Sequence, residues 1–185
     1  MSRLTRYKLS VAPQMLSSDY DAWTTPRPLY ETLNSIFGFK LDPCCERKTA
    51  KCTTFFTRED DGLVQDWASI GNTFVNPPYG RALPAWMIKC AGEAAKHVTV
   101  VALIPARTET AYWHNIVFPF ATCVCFVRGR IKFGDSRSPE GGNVGAPFPS
   151  AIIIFGRCEP HQVLRLGQLG KVFDNRDLGR ARRAA

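Results

Sequence analysis

The chain has 185 residues, 45% hydrophobic and 22% charged, which excludes a disordered polar chain and fits one globular domain long enough to bury a core. Its 24 Lys and Arg outweigh 16 Asp and Glu for a formal charge of +8, which favours a polyanionic partner such as nucleic acid. The seven cysteines form no C-x-x-C pair and several sit in apolar runs such as ATCVCFV, so buried free thiols are expected rather than a disulfide framework or a metal site. The start, MSRLTRYKLS, lacks an apolar stretch of the kind a signal peptide carries. The longest apolar runs, VTVVALI and AIIIF, fall far short of the roughly 20 residues that span a bilayer, and a soluble cytoplasmic protein is expected.

In chain order, residues 1–21 read as a basic N-terminal arm without periodicity. The segment RPLYETLNSIFG places Leu29, Leu33, Ile36 and Phe37 at helical spacing and stops at Gly38. FKLDPCC is an apolar run broken by Asp-Pro, which suits a buried strand ending in a loop; TTFFT is a short strand, and EDDGLVQDWASIGN is loop and turn. NTFVNPPYG is a strand that ends at its double proline. LPAWMIKCAGEAAKH is helical with Pro84 in its first turn, and VTVVALIPA is a strand buried on both faces. TETAYWHNIVF is helical, ATCVCFVRGRIKFG is one strand or two with a kink at Gly129, residues 134–149 are a long Gly- and Pro-rich loop, and SAIIIFG is a last strand. Residues 161–185 read as a basic C-terminal tail that opens with a weakly helical stretch, leaving 22–160 as the catalytic domain. Strands alternating with helices give an α/β fold with a mostly parallel sheet, and the last two strands, joined without a helix, give an antiparallel edge pair.

Ligands of such sheets sit at the carboxyl ends of the strands, where LDPCC and VNPPY place their polar residues. In Asn76-Pro77-Pro78-Tyr79, the prolines fix the backbone and hold the Pro77 carbonyl beside the Asn76 side-chain oxygen. Two such acceptors would orient an NH₂ group with its lone pair toward an electrophile and stabilise the positive charge that develops as it attacks. Tyr79 offers a face on which a planar base can stack. A tight turn with a structural Asn is the alternative. Asp42, followed by Pro43, could accept from a ligand ammonium or ribose hydroxyl, or serve as a turn residue. Asp60-Asp61-Gly62 reads as a turn from which one carboxylate could reach a bound adenine. Thr24 and Thr25, before Pro26, could cap the first helix or bind an anion at its N-terminus.

The ordered set WTTP, LDPCC, DDGL followed by Trp, VNPPYG, LIPART, WH, GRIKF and APFPSAIIIF, over roughly residues 22–156, resembles the phage-type DNA N-6-adenine methyltransferases (Dam-like). NPPY alone is shared with methyltransferases acting on protein glutamine and ribosomal RNA; the ordered combination is far more specific. The resemblance implies a Rossmann-like methyltransferase fold, S-adenosyl-L-methionine as donor, and adenine in double-stranded DNA, flipped from the helix, as acceptor. It would also place a phage- or prophage-encoded copy in the bacterial host cytoplasm. Carried over by motif, Asn76, Pro77, Pro78 and Tyr79 form the catalytic loop that holds the flipped adenine. Thr24, Thr25, Pro26, Asp42, Pro43 and Asp61 fall at the cofactor positions. Cys44-Cys45-Glu46 stands where many methyltransferases carry a glycine-containing pattern. Other acceptors (cytosine amine, RNA or a protein amide) and a catalytically silent DNA-binding module are the alternatives.

Overall fold

A computed structural model describes residues 23–134, 142 and 145–176. The expected arm, residues 177–185 of the expected tail and residues 135–141, 143 and 144 of the expected long loop lie outside them. Helix α1 (Arg27–Phe37) starts behind Pro26 and ends at Gly38, whose φ of 63° closes the last turn with an N–H donated to the Asn34 carbonyl at 2.8 Å. Its buried face is Tyr30, Leu33, Ile36 and Phe37, with Leu29 only half-buried. Strands β1 (Leu41–Asp42), β2 (Thr54–Phe55) and β3 (Thr73–Val75) follow. Helix α2 (Leu83–Ala94) leads into strand β4 (Val100–Pro105). A π-helical turn (Trp113–Val117) runs into α3 (Phe118–Phe120) and then β5 (Ala121–Val127), β6 (Ser150–Phe155), α4 (Pro160–Leu166) and β7 (Gly170–Asp174).

The seven strands form one sheet in the order β2-β1-β3-β4-β6-β5-β7. Strands β1 to β4 are mutually parallel; β6 pairs antiparallel with both β4 and β5, and β7 antiparallel with β5. Five strands therefore run one way, which is the mostly parallel sheet and Rossmann-like architecture that the sequence implies. The antiparallel β5–β6 pair forms as expected but lies inside the sheet, because β7 takes the edge. Helix α4 is the weakly helical stretch expected at the start of the tail, whereas the edge strand comes from tail residues in which the sequence pattern shows no strand. The signals there are short: a capping box in which Glu159 and Gln162 satisfy each other's backbone N–H, and a five-residue strand with alternating burial.

Both faces of the sheet are covered. Val100, Ala102, Ile104, Ala151, Ile153 and Phe155 face α2 and Trp113, while Val101, Leu103, Ile152 and Ile154 face α1 and α4. Every residue of β4 and β6 is buried, hence the unbroken apolar runs. The connections around β2 are not helices. The 59–72 crossover is instead held by Trp67, fully buried, whose indole N–H donates to the Gly62 carbonyl at 2.7 Å. Buried Glu93 of α2 accepts the Trp67 and Ala68 N–H groups at 3.1 Å and pairs with Lys89 and Lys96. The long β5–β6 connection is less polar in its packing than its composition suggests: Ile131, Phe133 and Ala146 at its two ends are buried, and the Ala146 N–H donates to the Ile131 carbonyl at 2.9 Å.

Candidate active site

From β1 the chain goes outward to β2 and then returns to the other side of β1 as β3. The order of the sheet thus reverses between β1 and β3, where open α/β sheets form their ligand crevice. A cleft with about 590 Å³ of empty space, open to solvent, lies there. Asp42 from the end of β1, Asn76, Pro77 and Pro78 from the end of β3, and Thr24 and Thr25 from the segment before α1 all line it. Six of the residues expected at a site thereby share one cleft. Cys44, Cys45 and Glu46, which stand where a glycine-containing pattern is usual, and Thr49 and Lys51, which the sequence did not single out, complete the side next to Asp42.

Asp42 is 3% exposed, and burial pushes its carboxyl up to about 6. Backbone N–H donors oppose that shift; that of Lys51 reaches Oδ2 at 3.0 Å, and Cys44 supplies another. Burial, and next the neighbouring Asp42, raise the Cys44 and Cys45 thiols well above their ordinary range. Thr25 is 2% exposed, and its hydroxyl has no hydrogen-bond partner among the described residues. A buried orphan hydroxyl on a cleft wall is costly unless a ligand completes it.

The Asn76 amide is held at both ends. Its Nδ2 donates to the Trp23 carbonyl, and its Oδ1 accepts the Tyr79 hydroxyl at 2.7 Å. Tyr79 is not on the cleft wall; its ring packs edge-on against Phe133 and Phe148, with centroids 6.1 and 5.5 Å away. Burial raises its phenol well above the ordinary range, so the hydroxyl is a donor at any physiological pH. Trp23 stands edge-on to the same two phenylalanines. Its neighbour Thr24 exchanges two backbone hydrogen bonds with Gly134, at 2.9 and 2.8 Å. The aromatic wall of Trp23, Phe133 and Phe148 was not read as a site from the sequence, although GRIKF and APFPS stood among the matching motifs.

Pro26, Pro43 and Asp61 are not wall residues of the cleft. Pro26 is the N-cap residue of α1, next to Thr25. Gly62 packs so closely on the Pro43 carbonyl that a β-carbon there would meet it at 2.0 Å, which brings the Asp61 loop against the end of β1. Asp61 itself has φ 48°, and its Oδ1 accepts the Leu63 N–H at 3.2 Å. Exposed Arg107, Arg128, Arg130 and Lys132 follow the carboxyl ends of β4 and β5, the same rim of the sheet as the cleft. Among the described residues no cluster of side chains could hold a metal ion, and no helix is long and apolar enough to cross a membrane.

A family model described as DNA N-6-adenine-methyltransferase (Dam) matches residues 13–175. A curated relative from Escherichia coli (strain K12), "Putative methyltransferase YfdM", is 38% identical over 65 residues, which cover 32% of this chain and 71% of the relative.

Proposed function

The chain belongs to the DNA N-6-adenine-methyltransferase (Dam) family and is a methyltransferase, and from that premise we propose that it methylates the exocyclic amine of adenine in duplex DNA with S-adenosyl-L-methionine as donor. One observation carries the reading: Asn76, at the end of β3, shares a cleft with the buried carboxylate of Asp42, at the end of the adjacent parallel strand. An anionic wall suits a cationic donor, and an amide oxygen next to it suits a neutral amine acceptor.

The residues present fit the donor. The orphan Thr25 hydroxyl can bond a polar group at its amino-acid end, and the Asp42 carboxylate can offset its positive charge. Bound there, the donor supplies an electrophilic methyl group. Cys44 and Cys45 line the same cleft, and their raised pKa keeps both thiols protonated and therefore poor nucleophiles beside such a group. The Asn76 oxygen and the Pro77 carbonyl accept the two amine hydrogens, aim the nitrogen lone pair at the methyl group and stabilise the charge that builds on nitrogen. Because the amine of a paired adenine lies within the base stack, the base must be flipped to reach the cleft. Stacking on an aromatic side chain and phosphate contacts from the basic rim would offset that cost.

The test is incubation of the purified protein with methyl-tritiated S-adenosyl-L-methionine and duplex DNA, followed by digestion to nucleosides. Label should appear in N6-methyladenine. Label in cytosine instead, or no label in DNA while a parallel reaction labels RNA or protein, or none in any of them, would overturn the assignment.

A further inference from the structure

We propose that Trp23 is a positioning residue: its main-chain carbonyl holds the Asn76 amide the right way round, and so demands an amide rather than a carboxylate at that position. The proposal rests on the reading of Asn76 as the acceptor for the target amine. A carbonyl oxygen can only accept, so the Asn76 group facing Trp23 must be the NH₂ end. The oxygen end is thereby turned toward Tyr79, whose hydroxyl occupies one of its two lone-pair directions at 2.7 Å. One direction remains for an incoming amine. If the amide were free to turn over, it would present N–H groups to a ligand that also brings N–H groups, and the cleft would repel what it has to bind.

The carbonyl is itself held rigidly. The Trp23 indole stands edge-on to Phe133 and Phe148 at centroid distances of 5.7 and 5.4 Å. Next to it, the paired hydrogen bonds between Thr24 and Gly134 join this segment to the end of the β5 connection. The orientation of the catalytic amide therefore depends on a residue more than fifty positions earlier in the chain.

This makes a distinction that an acceptor role alone does not. A carboxylate in place of Asn76 would keep the acceptor oxygen and favour the positive charge developing on nitrogen, so by that role Asn76→Asp should be fully active. Facing the Trp23 carbonyl, however, a carboxylate has no hydrogen to offer and meets another oxygen. Protonation would restore a donor. The groups around it are Asp42 from β1, Cys44, Glu46 and Lys51 from the loop that follows, Tyr79 from its own loop, and Tyr112, which influences Tyr79.

The experiment is single-turnover methylation of duplex DNA by wild type and Asn76→Asp across pH, with cofactor affinity measured separately. Near pH 8 the variant rate should fall about 100-fold while cofactor affinity changes only a few-fold. The ratio of variant to wild type should then recover at least about tenfold as pH falls to about 6, since a carboxyl pressed against a carbonyl titrates above its ordinary range. Taking the ratio removes only the pH dependence that the two proteins share. Full activity of Asn76→Asp, or a loss that does not change with pH, would overturn the role of Trp23. Asn76→Ala separates the two levels: if it retains normal turnover, the catalytic reading of Asn76 fails; if it is inactive while Asn76→Asp is fully active, only the Trp23 proposal fails. Should Asn76→Asp not fold, Trp23→Ala and Trp23→Phe replace it. The alanine variant should lose about tenfold in rate and the phenylalanine variant regain most of it; a wild-type rate in Trp23→Ala overturns the proposal.

Discussion

Replacing Asp42 by asparagine should stabilise the ligand-free protein while weakening its hold on the cofactor. The folded protein raises the Asp42 carboxyl to about 6, largely through burial, whereas an unfolded chain leaves an aspartate near about 3.9. A folded-state pKa above the unfolded one means that the native state binds the proton more tightly. Its cost to stability is absent at acid pH, grows as pH rises through the interval between the two values, and is complete above about 6.5. A gap of about two pKa units corresponds to roughly 3 kcal/mol. An asparagine in its place would stay neutral at every pH and could still accept the Lys51 N–H that Asp42 accepts at 3.0 Å. Urea denaturation of both proteins in steps from about pH 4 to about pH 8 reads the effect. The stability difference should move toward the variant by as much as about 3 kcal/mol over that range. Asp60, Asp66 and Glu159, whose carboxyls are lowered by their hydrogen-bond partners, act in the opposite direction but equally in both proteins. A difference that does not change with pH, or that moves toward wild type as pH rises, would refute the reasoning. In the same samples, cofactor affinity near neutral pH should be at least about tenfold weaker in the variant, as expected when a charge partner is neutralised.

Three further outcomes are expected. Asn76→Ala should lower turnover about 100-fold or more with near-normal cofactor affinity, and Tyr79→Phe should be milder than Tyr79→Ala because the ring packed against Phe133 and Phe148 survives and only the hydroxyl donated to Asn76 is lost; tritiated-methyl transfer and calorimetry check both. Gly62→Ala would drive a β-carbon into the Pro43 carbonyl, so it should destabilise the fold by about 2 kcal/mol or more in denaturant titration and weaken cofactor binding by displacing the end of β1. Alanine at Arg128, Arg130 and Lys132 together should weaken DNA binding and flatten the slope of log affinity against log salt by about 0.9 for each phosphate left without its cation, measured by fluorescence anisotropy; an unchanged slope would remove these residues from the DNA surface.

Most of the sheet was legible because β4 and β6 are buried on both faces and so appear as unbroken apolar runs, while α1 and α2 carry proline in their first turns and α1 ends at a glycine. Strand β7 was not, because five residues of alternating exposure at a sheet edge, in a basic segment, carry little periodic signal. The cleft was legible where chemistry coincides with a strand end, at Asp42 and Asn76. It was illegible where a residue contributes through its backbone or through a long-range contact. The Lys51 N–H and the Trp23 carbonyl have no side-chain signature, and Phe133 and Phe148 reach Tyr79 only once the β5–β6 connection folds back.

These gaps share a physical origin. Local pattern reports the forces that make an element, and a site in this fold is assembled by groups whose local preferences are overridden. Asp42 is a buried carboxyl with a raised pKa, Thr25 a buried hydroxyl without a partner among the described residues, and Asp61 a non-glycine residue at positive φ. Each is unfavourable where it stands, by amounts on the order of 1–3 kcal/mol for such features. Two of the three line the cleft itself, and the third packs beside the end of β1 through Gly62. The apolar layers on the two sheet faces supply the stability that tolerates them. A charged and polar ligand is what would turn the costs at Asp42 and Thr25 into favourable interactions, which is why these two residues, unfavourable in the ligand-free protein, are the ones to mutate in search of its chemistry.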